Sequence, residues 1–162
     1  MAQDPTSPSL DAVDHALIRE LQQDARVSNV ALAAKVKLTE GAVRRRIDRL
    51  IKSGTLRIVG VGDPARLGLM THVVIGMRVE MAQIEALLDR FARMSEFSYV
   101  YQTTGRFDIV AVAFFKSNNQ LREFLTKRLG KVAGVVEVET FLIMKAAKRS
   151  FRWGEGAEGG GT

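Results

Sequence analysis

The spacing of apolar residues changes character at residue 55, and no other feature constrains the fold of this 162-residue chain as tightly. Upstream, apolar residues recur every three or four positions, the repeat of an α-helix; downstream they gather in short β-branched runs separated by Gly and Pro, the habit of strands. Two small domains are therefore expected, with residues 57–70 as a linker that itself contains a strand.

Leu10, Val13, Leu17 and Leu21 predict a first helix, with Asp11 placed to favour its N-terminus. Ser28 is placed to cap a second, short helix through Val36, and Thr39 a third that reaches about Ser53 and stops at Gly54. Leu32, Ala33 and Val36 face Val43, Ile47, Leu50 and Ile51, whose i, i+4, i+7, i+8 spacing makes one apolar stripe. A tight turn at Val36, Lys37 and Leu38 makes this pair a helix-turn-helix, and residues 10–56 a three-helix unit of the winged kind. At about 100° per residue, the stripe leaves Gly41, Ala42, Arg45, Asp48 and Arg49 facing away from the core, flanked by Arg44 and Arg46.

The formal net charge is +6, and its placement matters more than its size. Residues 1–34 hold two basic and five acidic side chains, residues 35–57 eight and two, and residues 58–162 fourteen and eleven. The middle segment alone carries an excess equal to that of the whole chain. A basic segment is either a solvated helix face or an electrostatic footprint for phosphates, and clustering on one exposed helix side favours the second reading. Thr39, Glu40, Gly41, Arg44 and Arg45 form the end of the third helix that is free to meet base edges, and Gly41 and Ala42 keep its front unobstructed. Arg49 and Lys37 are placed for phosphates, while Arg46 is read as pairing with a carboxylate inside the domain. The partner this pattern implies is double-stranded DNA.

In the second part, strands are expected at 71–80, 97–104, 107–116 and 135–147, and helices at 81–94 and 118–130. The order βαββαβ over residues 71–148 predicts an α+β ferredoxin-like sandwich with both helices on one face of a four-stranded sheet. The run FDIVAVAFF is apolar on both sides: Phe107, Ile109, Ala111, Ala113 and Phe115 alternate with Asp108, Val110, Val112 and Phe114. The face without helices therefore needs a cover, either the first domain and linker or, preferred here, a second copy of the chain, so that a homodimer is the minimum.

The run LDAVDHALIRELQQDARVSNVALAAKVKLTEGAVRRRIDRLIKSGTLR resembles the N-terminal half of the Lrp/AsnC, or feast/famine, transcription regulators. TTGRFDIVAV and GVVEVETFLIMK resemble that family's effector-binding and oligomerisation domain, so the likeness extends over residues 10–148. It implies a sequence-specific regulator whose DNA binding or oligomeric state, a dimer or possible tetramer or octamer, responds to an amino acid or related small molecule. It also implies a pocket between a neighbouring subunit and the loop joining the second and third strands of the sheet. Thr103, Thr104, Gly105, Arg106 and Asp108 map onto that loop, and Thr140 onto the last strand. Asp108 is placed there to meet an ammonium, and Arg106 or the N–H groups around Gly105 to meet a carboxylate. Two positions depart from the pattern: Lys37 fills a turn site often held by Gly, and GRFD stands where GDYD-like loops are common, which leaves the effector's identity open. On its residues alone the same loop reads equally as a hairpin turn with Arg106 in solvent. An architectural DNA-binding protein without effector response is the alternative function.

Other classes find little support. There is no cysteine, His15 and His72 fall in separate domains, and no nucleophile motif or metal-ligand spacing occurs. Gly60 and Gly62 form only G-V-G, without the helix and acidic residue a dinucleotide fingerprint needs. The expectation is a non-enzyme with no metal or cofactor beyond its effector. No signal-peptide form and no apolar run of membrane-spanning length is present, so a cytoplasmic protein is expected. Residues 1–9 and 149–162, the latter ending in GEGAEGGGT, read as flexible tails.

Overall fold

The computed structural model describes residues 9–152, so the expected tails lie outside it except for Ser9 and residues 149–152. The chain divides into two units, one holding the described residues up to Gly60 with those from Lys148 onward, the other Val61–Ala147. The division falls inside the segment read as a linker.

The first unit contains α1 (Ala12–Gln23), α2 (Asn29–Val36) and α3 (Glu40–Lys52). Each begins on a side chain that accepts an otherwise partnerless N–H of the first turn. Ser28 receives the Ala31 N–H at 3.2 Å and Thr39 that of Ala42 at 3.3 Å. At α1 the cap is reciprocal, with Asp14 N–H donating to Asp11 Oδ1 at 2.8 Å and Asp11 N–H to Asp14 Oδ2 at 3.3 Å. Leu17, Leu21, Leu32, Ala33, Val43, Ile47, Leu50 and Leu56 form the core. Ile51, expected on the packed stripe, is instead 43% exposed. The chain folds back after α3, where Leu56 N–H donates to the Leu50 carbonyl at 3.0 Å, and the Leu56 side chain takes the buried place.

The turn between α2 and α3 keeps its form without glycine. Lys37 adopts φ 55°, ψ 45°, the one non-glycine positive φ among the described residues, and its N–H and that of Leu38 both reach the Ala33 carbonyl. A side chain there costs about 1 kcal/mol relative to Gly. The strand expected within 57–70, and the wing with it, is not formed: among the described residues no strand precedes Thr71. A strand needs a ladder partner, and Ile58, Val59 and Val61 lie exposed in irregular chain.

The second unit is a sheet of β1 (Thr71–Val79), β2 (Phe97–Gln102), β3 (Ile109–Phe115) and β4 (Val135–Leu142) in the order β2-β3-β1-β4, every pairing antiparallel. With α4 (Ile84–Ala92) after β1 and α5 (Asn118–Glu123) after β3, this is the expected βαββαβ sandwich. The helix expected at 118–130 is composite: α5 continues as a π-helical turn, Phe124–Arg128, and a 3-10 turn, Leu129–Lys131. β4 stops at Leu142 rather than residue 147, because β1, its neighbour in the ladder, has begun only at Thr71 and pairs Val73 with Leu142.

Alternation along β1 and β3 sorts the two faces. Val73, Ile75, Met77, Ile109, Ala111, Ala113 and Phe115 pack beneath Ile84, Leu87, Phe91, Phe124 and Leu129 of the helical layer. The other face carries Val74, Val110, Val112 and Phe114, all half-buried, with Tyr99, Tyr101 and Phe141 exposed beside them and no helix of this unit above.

Candidate functional site

The basic side chains of α3 divide into two pairs according to what they touch. Asp14 sits on the same stripe of α1 as Leu17 and Leu21, and its side chain is 1% exposed. A carboxylate taken out of water requires partners of opposite charge. Arg46 Nη1 donates to its Oδ1 at 2.8 Å and Arg49 Nη2 to its Oδ2 at 2.5 Å. Arg46 Nη1 also reaches Asp11 Oδ2 at 2.7 Å, so one guanidinium joins both carboxylates of the α1 cap. The backbone N–H of Asp14, and then Arg46, hold the Asp11 carboxyl below its ordinary value of 3.8; Asp11 and Asp14 in turn raise Arg46. The expected internal pairing of Arg46 is thus present, whereas Arg49, expected to be free for phosphate, is anchored.

Arg44 and Arg45 are exposed and make no ion pair or hydrogen bond among the described residues. Thr39, Glu40 and Gly41 begin the same helix at the exposed end. Gly41 serves no internal requirement: its φ is not positive, and a Cβ built there would meet nothing nearer than Arg45 Nη1 at 3.7 Å. Glycine inside a helix costs roughly 0.5–1 kcal/mol relative to Ala, so its presence points outward, to close approach by something else. Behind it, Ala42, Arg45, Arg46 and Arg49 line a shallow hollow of about 260 Å³. Lys37 is exposed at the turn beside this helix.

The loop from Thr103 to Asp108 is closed on its own unit. Thr103 N–H donates to the Asp108 carbonyl at 2.9 Å, and Thr103 Oγ1 to the Phe107 carbonyl at 2.7 Å. Asp108, expected to await an ammonium, accepts the Val79 N–H on Oδ2 at 2.9 Å, just where β1 shifts register against β4. Arg106, expected to await a carboxylate, lies 2.7 Å from Glu139 Oε2 and 4.0 Å from Glu137 Oε1, above the Phe107 ring. Thr104 and Gly105 form the exposed tip. Thr140 is not brought to this cluster: it pairs with Ile75 and shares the helix-covered side of the sheet, while Glu137 and Glu139 share the open side with Arg106 and Phe107. Within one chain the loop is a hairpin connection whose charged groups are already engaged.

Sequence reasoning missed Asp14 as the organiser of the first unit. The signal was a carboxylate on an apolar stripe at positions 10, 14, 17 and 21, which demanded a buried cationic partner. It also missed Glu137 and Glu139, because their meeting with Arg106 depends on sheet register. Among the described residues no cluster of His, Cys, Asp and Glu suited to a metal occurs, and no helix is long and apolar enough to cross a membrane.

Comparison with known proteins assigns both units. Residues 10–51 match the family model for the AsnC-type helix-turn-helix domain, and residues 72–153 the model for the Lrp/AsnC ligand binding domain. An HTH-type transcriptional regulator of Pyrococcus furiosus is 30% identical over 146 residues, covering 90% of this chain and 96% of its own. The HTH-type transcriptional regulator Ptr1 of Methanocaldococcus jannaschii is 27% identical over 140 residues, covering 86% of this chain and 95% of its own. Among solved structures, a transcriptional regulator of Neisseria meningitidis in complex with L-Met superposes with a TM-score of 0.80 at 23% identity, covering 88% of this chain and 95% of that one. AsnC of E. coli gives 0.79 at 19%, covering 88% and 97%. At these identities the structural likeness speaks for the fold.

Proposed function

The chain belongs to the Lrp/AsnC family of transcriptional regulators, and on that premise we propose that it binds operator DNA sequence-specifically through the N-terminal half of α3 and adjusts that binding to a small-molecule effector, an amino acid or a close relative. The observation that carries the DNA half is the division of the arginines. Asp14 engages Arg46 and Arg49 and so sets the angle of α3, while Arg44 and Arg45 stand unpartnered beside a glycine the fold does not need. Arg44 and Arg45, with Thr39 and Glu40, meet base edges. In the hollow beside Ala42, Arg46 and Arg49 receive a backbone phosphate, since a guanidinium with one edge on Asp14 has further donors to give. Lys37 adds a second phosphate contact.

The effector half rests on the ligand-binding family model and on the L-Met complex of the Neisseria regulator. In this chain the loop Thr103, Thr104, Gly105 and Arg106 borders the acidic pair Glu137 and Glu139, and the ligand's ammonium replaces Arg106 on that pair. Asp108 acts as the brace that holds the loop, and Thr140 takes no part unless a neighbouring copy supplies it.

A second copy covers the open sheet face, where Val74, Val110, Val112 and Phe114 would otherwise stay half in water. Replacing Val112 by Glu should convert the oligomer to a folded monomer in sedimentation equilibrium; an unchanged mass would remove this face as the interface. The functional reading is tested by titrating operator and random DNA over a range of salt, with and without a panel of amino acids. A regulator keeps a specificity ratio and responds to at least one of them, whereas an architectural protein does neither.

A further inference from the structure

The helical layer of the second unit holds a cationic cavity that neither DNA recognition nor the loop at Arg106 uses. Arg90 of α4 and Lys127, Arg128 and Lys131 of the segment after α5 line a recess of about 300 Å³ together with Met94 and Val132. Arg128 pairs with Glu96 and lies over the Phe124 ring, and Lys127 pairs with Glu123 at 3.3 Å. Arg90 and Lys131 have no ion-pair partner among the described residues, so the recess keeps two uncompensated cations. Like charges gathered in one concavity repel, and an apolar floor such as Met94 and Val132 weakens their screening.

The backbone is built around this recess. Phe124 and Leu129 are both buried, yet they stand five residues apart, a spacing that an α-helix would place on different faces. The π turn at Phe124–Arg128 widens the helix so that both reach the core while Lys127, Arg128 and Lys131 come round to Arg90. Gly130 keeps the wide turn, because a Cβ there would lie 2.9 Å from the Leu125 carbonyl oxygen. π turns inside helices are rare and concentrate at functional sites.

From this geometry we infer a second ligand site, one that takes the phosphate groups of a small di- or triphosphate-bearing molecule. Guanidinium forks and lysine ammoniums suit phosphate oxygens, and two unpaired cations match a multiply charged anion better than the single carboxylate of an amino acid. The DNA backbone fits less well, since Met94 and Val132 give this recess the apolar floor of a small-molecule pocket, whereas the α3 hollow assigned to a backbone phosphate is lined by Ala42 and arginines alone.

Inorganic pyrophosphate is the probe, titrated calorimetrically into the full chain. Saturable binding is expected, weakened at least about tenfold in Arg90→Gln/Lys131→Gln and retained in Arg44→Gln/Arg45→Gln. Circular dichroism confirms that these surface variants remain folded. The site is overturned by absence of saturable binding, by equal affinity in the Arg90→Gln/Lys131→Gln variant, or by loss confined to the Arg44→Gln/Arg45→Gln variant. If the first variant instead loses affinity for random duplex DNA while wild type fails to bind pyrophosphate, the recess is a DNA contact and the small-molecule site falls. None of these outcomes depends on the amino-acid response proposed above.

Discussion

The helix-turn-helix unit and the Thr103–Asp108 loop both present arginine and aspartate side chains, and they treat them in opposite ways. On α3 a buried carboxylate takes up the inner arginines and thereby leaves Arg44 and Arg45 outside without partners. In the loop, half-buried carboxylates on β4 take up Arg106, and the backbone of β1 takes up Asp108. The first arrangement is rigid and open to a partner; the second is closed within its unit, and a ligand must compete with pairs already made. A charged residue near a functional region is therefore informative chiefly through what is left over after internal pairing.

The strongest way to break this contrast is Asp14→Ala. It takes the Asp14 partner from Arg46, which keeps Asp11, and from Arg49, and removes half of the α1 cap. Both arginines reach solvent, so we expect a loss of about 1.5–3 kcal/mol, seen in urea melts as early unfolding of the first unit. A loss under about 1 kcal/mol would mean the pairing is no more than a surface contact. Next, Arg44→Ala and Arg45→Ala should each weaken operator binding by about 1–3 kcal/mol without altering the oligomer in sedimentation. Equal weakening on operator and random DNA would reassign that arginine from bases to phosphate.

In the loop the expected effects are smaller and reversed in kind. Asp108→Ala should cost about 1–1.5 kcal/mol of stability, because the Val79 N–H loses its acceptor; Arg106→Ala should cost under about 1 kcal/mol, its ion pairs being exposed. If Arg106→Ala proved the more destabilising, Arg106 rather than Asp108 would be the brace of the loop. The smallest effect belongs to Asp11→Asn, which preserves a good helix cap and deletes only the charge facing Arg46. Since the folded carboxyl is held below 3.8, its stabilisation is fully present above that value and fades as pH falls through the lowered one. The variant should melt below wild type at neutral pH and coincide with it in strong acid.

Much of this was legible in the sequence wherever period and capping act locally. The three helices, their caps at Asp11, Ser28 and Thr39, the βαββαβ order and the open sheet face all follow from spacing that each segment carries by itself. What escaped depends on distant partners. Ile58, Val59 and Val61 have the composition of a strand but find no ladder, and Ile51 loses its buried place to Leu56. Arg49 faces away from the stripe, as expected, yet its length carries the guanidinium back to Asp14. Thr140 sits on the wrong side of the sheet because side chains alternate along β4, a matter of register that no local pattern reveals.

Phe107 is among the contacts that join the loop to the open face. The Phe107 ring lies on Gly76 of β1, where an added Cβ would stand 2.6 Å from a ring carbon. A single methyl group at position 76 would therefore act as a wedge, lifting Phe107 from the sheet and with it Arg106 from its carboxylates. The loop is tuned from a strand it does not belong to, and the same absent side chain lets whatever presses on that face be felt at the loop.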